Sequence, residues 1–205
     1  MILCDIGNTT IDWEINGEYT KQSVENFNPA LYTEIIYYIC VNTKLLSHIY
    51  TFTNWINVAN YIEWQKYYPA MGIDRIMVCE AISNGVIVDA GSAVTVDVMN
   101  DGHYKGGFIA LGLRSAQAAY EKLSPALDWS FNFEVDLTIM AKSTPDAITI
   151  GYLAPLIDKI KSLGSPIIVT GGDSNVFSSF LGDAIVDNHL VFKGMKKLIE
   201  KGPLC

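Results

Sequence analysis

The sequence predicts an α/β protein of two similar lobes, each a mixed sheet that opens with a β-meander and continues into helices. Two observations carry this expectation. The first is an internal echo: Asp5-Ile6-Gly7-Asn8-Thr9, then Asp12, Gly17 and Tyr19, returns as Asp89-Ala90-Gly91-Ser92-Ala93, then Asp97, Gly102 and Tyr104, at an offset of 84 residues that grows to 85. A lone Asp-x-Gly is common hairpin chemistry, but a match that also keeps the downstream Asp, Gly and Tyr in order points to a duplicated half. The second is the order of elements, because strands precede helices in both halves.

In each copy an apolar run ends in Asp, a Gly-containing turn follows, a second strand rich in Thr, Ile or Val comes next, and a polar Gly turn leads into a third. After the first meander the pattern predicts a helix over 29–41, a strand over 48–53 and a helix over 56–66. A helical apolar run covers 76–82. After the second meander it predicts helices over 113–122 and 146–163, a buried strand over 166–170 and a closing helix from about Lys193. The lobes divide as 1–83 and 84–205, with the two hairpins expected to face each other across a cleft.

Half of the 205 residues are hydrophobic, enough to bury a real core. A net charge of −8 argues against a nucleic-acid surface, which needs clustered cations. The basic cluster Lys193, Lys196, Lys197 and Lys201 reads as a solvated helix end. The cysteines (Cys4, Cys40, Cys79, Cys205) lack CxxC spacing and the three histidines are scattered, so a structural zinc is not expected. Cys4 and Cys79 sit in apolar runs, as small hydrophobes. The expected setting is a reducing cytoplasm, with no membrane span.

Four segments carry chemistry. At each Asp-x-Gly hairpin the glycine lets the backbone approach a phosphate, and Asn8, Thr9 and Ser92 add donors. Asp5 could hold Mg²⁺ through water while turn N–H groups meet the phosphates of ATP. Gly72-Ile73-Asp74-Arg75 follows Tyr67, Tyr68 and Pro69. A carboxylate there can take the proton of an accepting hydroxyl and an arginine can grip an anion, although a capping Asp and a surface Arg give the same pattern. Gly106-Gly107 implies a strand backbone closely approached by either a ligand or another strand, and Thr170-Gly171-Gly172-Asp173, between an apolar run and a helix, could seat an anion or an adenosine.

In combination these motifs resemble the type III pantothenate kinases, of the acetate and sugar kinase, Hsp70 and actin superfamily. The resemblance runs through DIGNT at 5–9, GIDR at 72–75, VDAGSAVTVD at 88–97, GGFI at 106–109, STPDAITIG at 143–151 and TGGD at 170–173. It implies ribonuclease H-like (actin-like ATPase) lobes and ATP-dependent phosphorylation of pantothenate at its 4′-hydroxyl, the first step towards coenzyme A. It further implies that Asp5, Ile6, Gly7, Asn8, Thr9, Thr10, Ile11 and Asp12 form the first phosphate loop, with Ser92 meeting ATP from the second. By the same resemblance Asp74 is the general base, and Tyr68, Gly72, Ile73, Asp74, Arg75 and Thr144 line the pantothenate pocket. The resemblance also implies that Asp89 binds a monovalent cation, K⁺ or NH₄⁺, that Mg²⁺ accompanies ATP, and that a homodimer places the substrate site at its interface. Against the family pattern, Ser92 replaces the more usual Thr and Leu111 stands at an expected Pro. The first lobe is short, and no Ser-Ser-Val-Pro type segment is recognisable around 51–58. Two other possibilities are a kinase of the superfamily with a different substrate, and a non-catalytic accessory protein on the same fold.

Overall fold

The computed structural model describes residues 1–202; Cys205 lies outside the described residues. The chain folds as two compact units, one of Met1–Ile82 with the segment from His189, the other of Ser83–Asn188.

In the first unit the apolar run after Met1 becomes β1 (Ile2–Ile6), the centre of a five-stranded sheet. It pairs antiparallel with β2 (Thr10–Ile15), which pairs antiparallel with β3 (Glu18–Ser23). On its other side β1 runs parallel to β4 (Ile36–Cys40), and β4 runs parallel to β5 (Trp55–Asn57). Leu3, Cys4 and Ile6 are wholly buried, as a strand covered on both faces requires. On one face lies a core of Cys4, Ile6, Ile11, Trp13, Tyr38 and Trp55, with Trp13 stacked on Tyr32 at 4.9 Å between centroids. Elsewhere in this unit α2 (Ile73–Ala81) packs against α6 (Leu190–Lys201). The helices cross at Gly194, where a Cβ would collide with the Met77 carbonyl. This packing puts the closing helix with the first unit, whereas the sequence division placed it in the second lobe.

Three expectations in this unit are corrected. The segment 29–41 is no helix: Pro29–Leu31 makes a short 3-10 turn and Ile36–Cys40 is β4. A five-residue apolar run does not reveal its period, and here it fills the slot beside β1. The predicted strand at 48–53 is the end and exit of α1 (Thr43–Ile49), whose N-cap Asn42 accepts hydrogen bonds from the Lys44 and Leu45 N–H groups. The predicted helix at 56–66 is β5 followed by two 3-10 turns, the first capped by Asn57.

The second unit repeats the strand order. β6 (Gly85–Ala90), β7 (Ala93–Asn100) and β8 (His103–Leu111) form the antiparallel meander. β9 (Ile167–Thr170) and β10 (Ile185–Val186) extend the sheet parallel to β6. Its order, β8-β7-β6-β9-β10, is that of the first sheet, β3-β2-β1-β4-β5, so the duplication expected from the two hairpins is borne out. Helices α3 (Leu113–Leu123), α4 (Thr144–Lys161) and α5 (Ser174–Leu181) supply Leu113, Leu153, Ile157 and Phe177 to a core with Val86, Val88, Val96 and Val169.

The register refines the repeat. The pairs Ile6–Ile11 and Ala90–Val94 leave four residues in the first hairpin loop and three in the second. Asp5 therefore faces Asp12, while Asp89 faces Thr95; Asp97, which the sequence echo aligned with Asp12, faces Ile87 and is wholly buried. β7, eight residues against six in β2, carries the chain on to the next turn. Those next turns match: Asn16-Gly17 and Asp101-Gly102 all have positive φ, the type I′ hairpin signature.

Candidate active site

The first hairpin is shaped by its glycine. The Gly7 N–H donates to the Thr10 carbonyl at 2.9 Å, and a Cβ on Gly7 would lie 2.9 Å from that same oxygen, so a side chain would force the loop open. Asn8 and Thr9 are exposed at its tip, Gly7 and Thr10 half-exposed. Asp5 and Asp12 face each other in register at the loop end of the sheet, and Lys21 on β3 pairs with Asp12 at 3.1 Å. Ile6 and Ile11 are wholly buried, so only their main chain is available to a ligand.

The second constellation lies at the head of α2. The N-cap is Gly72, without a side-chain cap, and Asp74 sits in the first turn, its carboxylate accepting from the Arg75 N–H at 2.8 Å. A Cβ on Gly72 would stand 2.5 Å from Asp74 Oδ1, so glycine here leaves room for the carboxylate. Arg75 is buried, and its Nη1 donates to the Tyr68 hydroxyl at 2.6 Å. Tyr68 is 45% exposed, which puts its pair with buried Arg75 at the protein's surface. Between them the chain turns sharply: the Met71 N–H donates to the Tyr68 carbonyl, and Ala70 has φ +64°, the left-handed position that a turn after proline usually gives to glycine. The structure thus brings Tyr68, Gly72, Asp74 and Arg75 together.

Behind this group is a network that the sequence motifs do not reveal. The Tyr67 hydroxyl donates to Glu80 Oε1 at 2.9 Å, and Lys201 Nζ meets Glu80 Oε2 at 3.1 Å. Tyr67 and Glu80 are both buried. Burial and then the Glu80 charge push the Tyr67 phenol far above its ordinary range, so it stays a donor. A carboxylate inside the apolar run Ile76-Met77-Val78-Cys79-Glu80 was the available signal, because such a residue needs a partner. Lys196 likewise pairs with buried Glu14 on β2. Two of the four lysines read as a solvated helix end therefore neutralise internal carboxylates.

In the second unit Asp89 and Ser92 flank Gly91, whose N–H donates to the Ala93 carbonyl at 3.0 Å. Two further glycines close on this hairpin. A Cβ on Gly112 would lie 2.6 Å from the Ser92 carbonyl; on Gly171, which has φ +91°, it would lie 2.6 Å from Asp89 Oδ1. The Asp173 N–H donates to the Ala90 carbonyl at 2.9 Å, so the Thr170–Asp173 turn is seated on the end of β6. Thr95, opposite Asp89, has a buried hydroxyl without a hydrogen-bond partner. Thr144 is exposed at the first position of α4, in an open groove of about 580 Å³ beside Tyr120, Leu127 and Lys142. Ser143 caps α4, and hydrogen bonds from Ser143 and Asn132 hold Asp146 below the usual carboxylate range.

Among the described residues no group of three or more His, Cys, Asp or Glu side chains could hold a metal, and no helix is long and apolar enough to cross a membrane.

Two sheets of identical order, each with an Asp-x-Gly hairpin between its first two strands, define an actin-like ATPase fold of the kind used by sugar kinases. A Sinorhizobium meliloti structure, described as a 2-dehydro-3-deoxygalactonokinase protein and 10% identical over the whole of this chain and 97% of its own, shares that fold with a TM-score of 0.58. The chain belongs to the type III pantothenate kinase family. The family's sequence profile matches residues 53–165. The type III pantothenate kinase of Sulfurimonas denitrificans is 44% identical over the full length of both chains, and that of Helicobacter hepaticus 41% identical over 98% of this chain and 99% of its own. A Campylobacter jejuni structure, described as a Baf family transcriptional activator, superposes with a TM-score of 0.90 at 35% identity, over 98% of each chain.

Proposed function

We propose that this protein transfers the γ-phosphate of ATP to the 4′-hydroxyl of pantothenate, giving 4′-phosphopantothenate at the start of coenzyme A synthesis. The observation that carries the proposal is the group at the head of α2, with Asp74 given room by Gly72 and Arg75 bonded to Tyr68, in a chain whose relatives bear that name along their whole length. Asp74 takes the proton of the attacking hydroxyl, and Tyr68, Gly72, Ile73 and Arg75 orient pantothenate. Residues 5–12 and Ser92 receive the ATP phosphates through loop N–H groups and hydroxyls. Thr144 completes the substrate pocket, from the second subunit of a homodimer, in the cytoplasm.

The donors at Asp89 fit a monovalent cation such as K⁺ or NH₄⁺. The site offers one carboxylate beside a buried, unpartnered Thr95 hydroxyl, with Gly171 keeping the space open. Mg²⁺, which favours octahedral oxygen coordination and keeps its waters, fits better as a companion of the ATP phosphates near Asp5. A bound cation offsets phosphate charge in a protein of net charge −8.

The accessory-protein alternative gains some support from the description of the Campylobacter jejuni structure, but an acidic chain is poorly suited to a DNA backbone and a binding-only protein needs no base beside its ligand. The test is ADP release with pantothenate and with a panel of sugars, in K⁺ and in Na⁺, for the wild type and Asp74→Asn. Turnover of pantothenate that is lost in Asp74→Asn is expected. Turnover of a sugar instead would overturn the substrate, and a fully active Asp74→Asn would overturn the base.

A further inference from the structure

The loop that delivers Tyr68 is tied to α2 twice. At one end it enters the helix through Gly72, and at the other Tyr67 is bonded to Glu80, five residues beyond Arg75. Tyr67 has an extended backbone (φ −124°, ψ 159°), and along such a chain neighbouring side chains leave in opposite directions. One tyrosine is therefore buried, 8% exposed, while the next is 45% exposed and reaches Arg75. Whatever fixes the inner ring fixes the starting direction of the outer one. The intervening turn has little freedom to absorb an error, since it passes through Pro69 and a left-handed Ala70 and closes on the Met71 N–H.

We infer that Glu80 and Tyr67 are positioning residues for pantothenate, acting through Tyr68 and Arg75, with Lys201 of α6 neutralising the Glu80 carboxylate that holds the tether. This rests on the proposed function for the identity of the substrate. Neither Glu80 nor Tyr67 touches the reacting atoms in this scheme, so their loss alters the binding geometry and not the proton transfer at Asp74. The inference also gives α6 a role at the site that its distance in sequence conceals, since Lys201 follows Glu80 by 121 residues.

The test uses the purified full chain and the variants Tyr67→Phe and Glu80→Gln. Tyr67→Phe keeps the ring and loses one hydrogen bond, so the KM for pantothenate should rise about fivefold. The kcat and the KM for ATP should stay within about twofold, because neither the base nor the phosphate loop is touched. Glu80→Gln keeps an acceptor for Tyr67 and should fall between wild type and Tyr67→Phe. Amide hydrogen exchange across 67–75, measured without substrate, should quicken in Tyr67→Phe and less so in Glu80→Gln. Unchanged exchange, or an unchanged KM for pantothenate in a variant that has lost the bond, overturns the tether. A purely structural role would lower the melting temperature without moving KM. A wild type that ignores pantothenate overturns the proposed function, whereas an active wild type with unaltered variants overturns this inference alone.

Discussion

Gly72→Ala would separate the placement of the base from the stability of the fold. The added Cβ would lie 2.5 Å from Asp74 Oδ1, while carbon and oxygen settle no closer than about 3.2 Å, so the carboxylate must retreat by roughly 0.7 Å or rotate away. Only a side-chain tip has to move, which is cheap. The backbone at residue 72 (φ −59°, ψ 137°) suits alanine, and the loss of a glycine cap, about 0.5–1 kcal/mol, is offset by a similar gain from a stiffer unfolded chain. The melting temperature should therefore stay within about 2 °C of wild type. Turnover should not: displacing a proton acceptor by close to an ångström can cost about a hundredfold. Steady-state kinetics with saturating pantothenate and ATP, beside a thermal melt, reads both quantities. A kcat within threefold of wild type in a well-folded Gly72→Ala would refute the assignment of Asp74 as the base.

Three other outcomes are expected. Gly194→Ala drives a methyl into the Met77 carbonyl at the α2–α6 crossing and should destabilise by about 2 kcal/mol or more, seen as a fall of several degrees in Tm; an unchanged Tm would mean that the helices separate freely. Gly171→Ala is strained at φ +91° and crowds Asp89, so it should weaken activation by K⁺ more than it raises the KM for pantothenate, as titrations of the two ligands would show. The Cys40 thiol is pushed up from 9.0 to about 11, first by burial and then by the charge of Asp5. The folded chain then holds that proton more tightly, so stability is full below pH 9 and is lost as pH climbs towards 11, by about 2 kcal/mol for this group. Urea midpoints at pH 9, 10 and 11 should fall more steeply for wild type than for Cys40→Ala, and parallel curves would remove Cys40 as a cause.

The sequence was most legible where chemistry is local. The hairpins at Asp5 and Asp89, the turns at Gly17 and Gly102, the helices after Gly112 and Ser143, and the strand ending at Thr170 all carry their own glycines, caps or unbroken apolar runs. The region 29–66 was misread because its outcome is decided elsewhere. Ile36–Cys40 is a strand because β1 offers a parallel partner, and Trp55–Asn57 because β4 then does the same. At the site, GIDR and the two Asp-x-Gly turns could be read directly. The Asp12–Asp97 equivalence failed because Thr95, two residues before Asp97, is the residue opposite Asp89: the second loop is a residue shorter, and β7, two residues longer than β2, still brings the next turn to the expected spacing. The Glu80–Lys201 pairing stayed invisible because partners 121 residues apart share no local pattern.

The return of α6 to the first unit has a bearing on how the chain is made. Ser83–Asn188 is continuous, so it can fold as soon as it leaves the ribosome, whereas the first unit lacks its closing helix until residues 190–201 emerge. Until then Glu14 and Glu80 have no lysine and the α2 surface around Met77 is uncovered. The half synthesised first is thus the half completed last, and the Glu80 carboxylate behind Tyr68 gains its lysine only when Lys201 arrives.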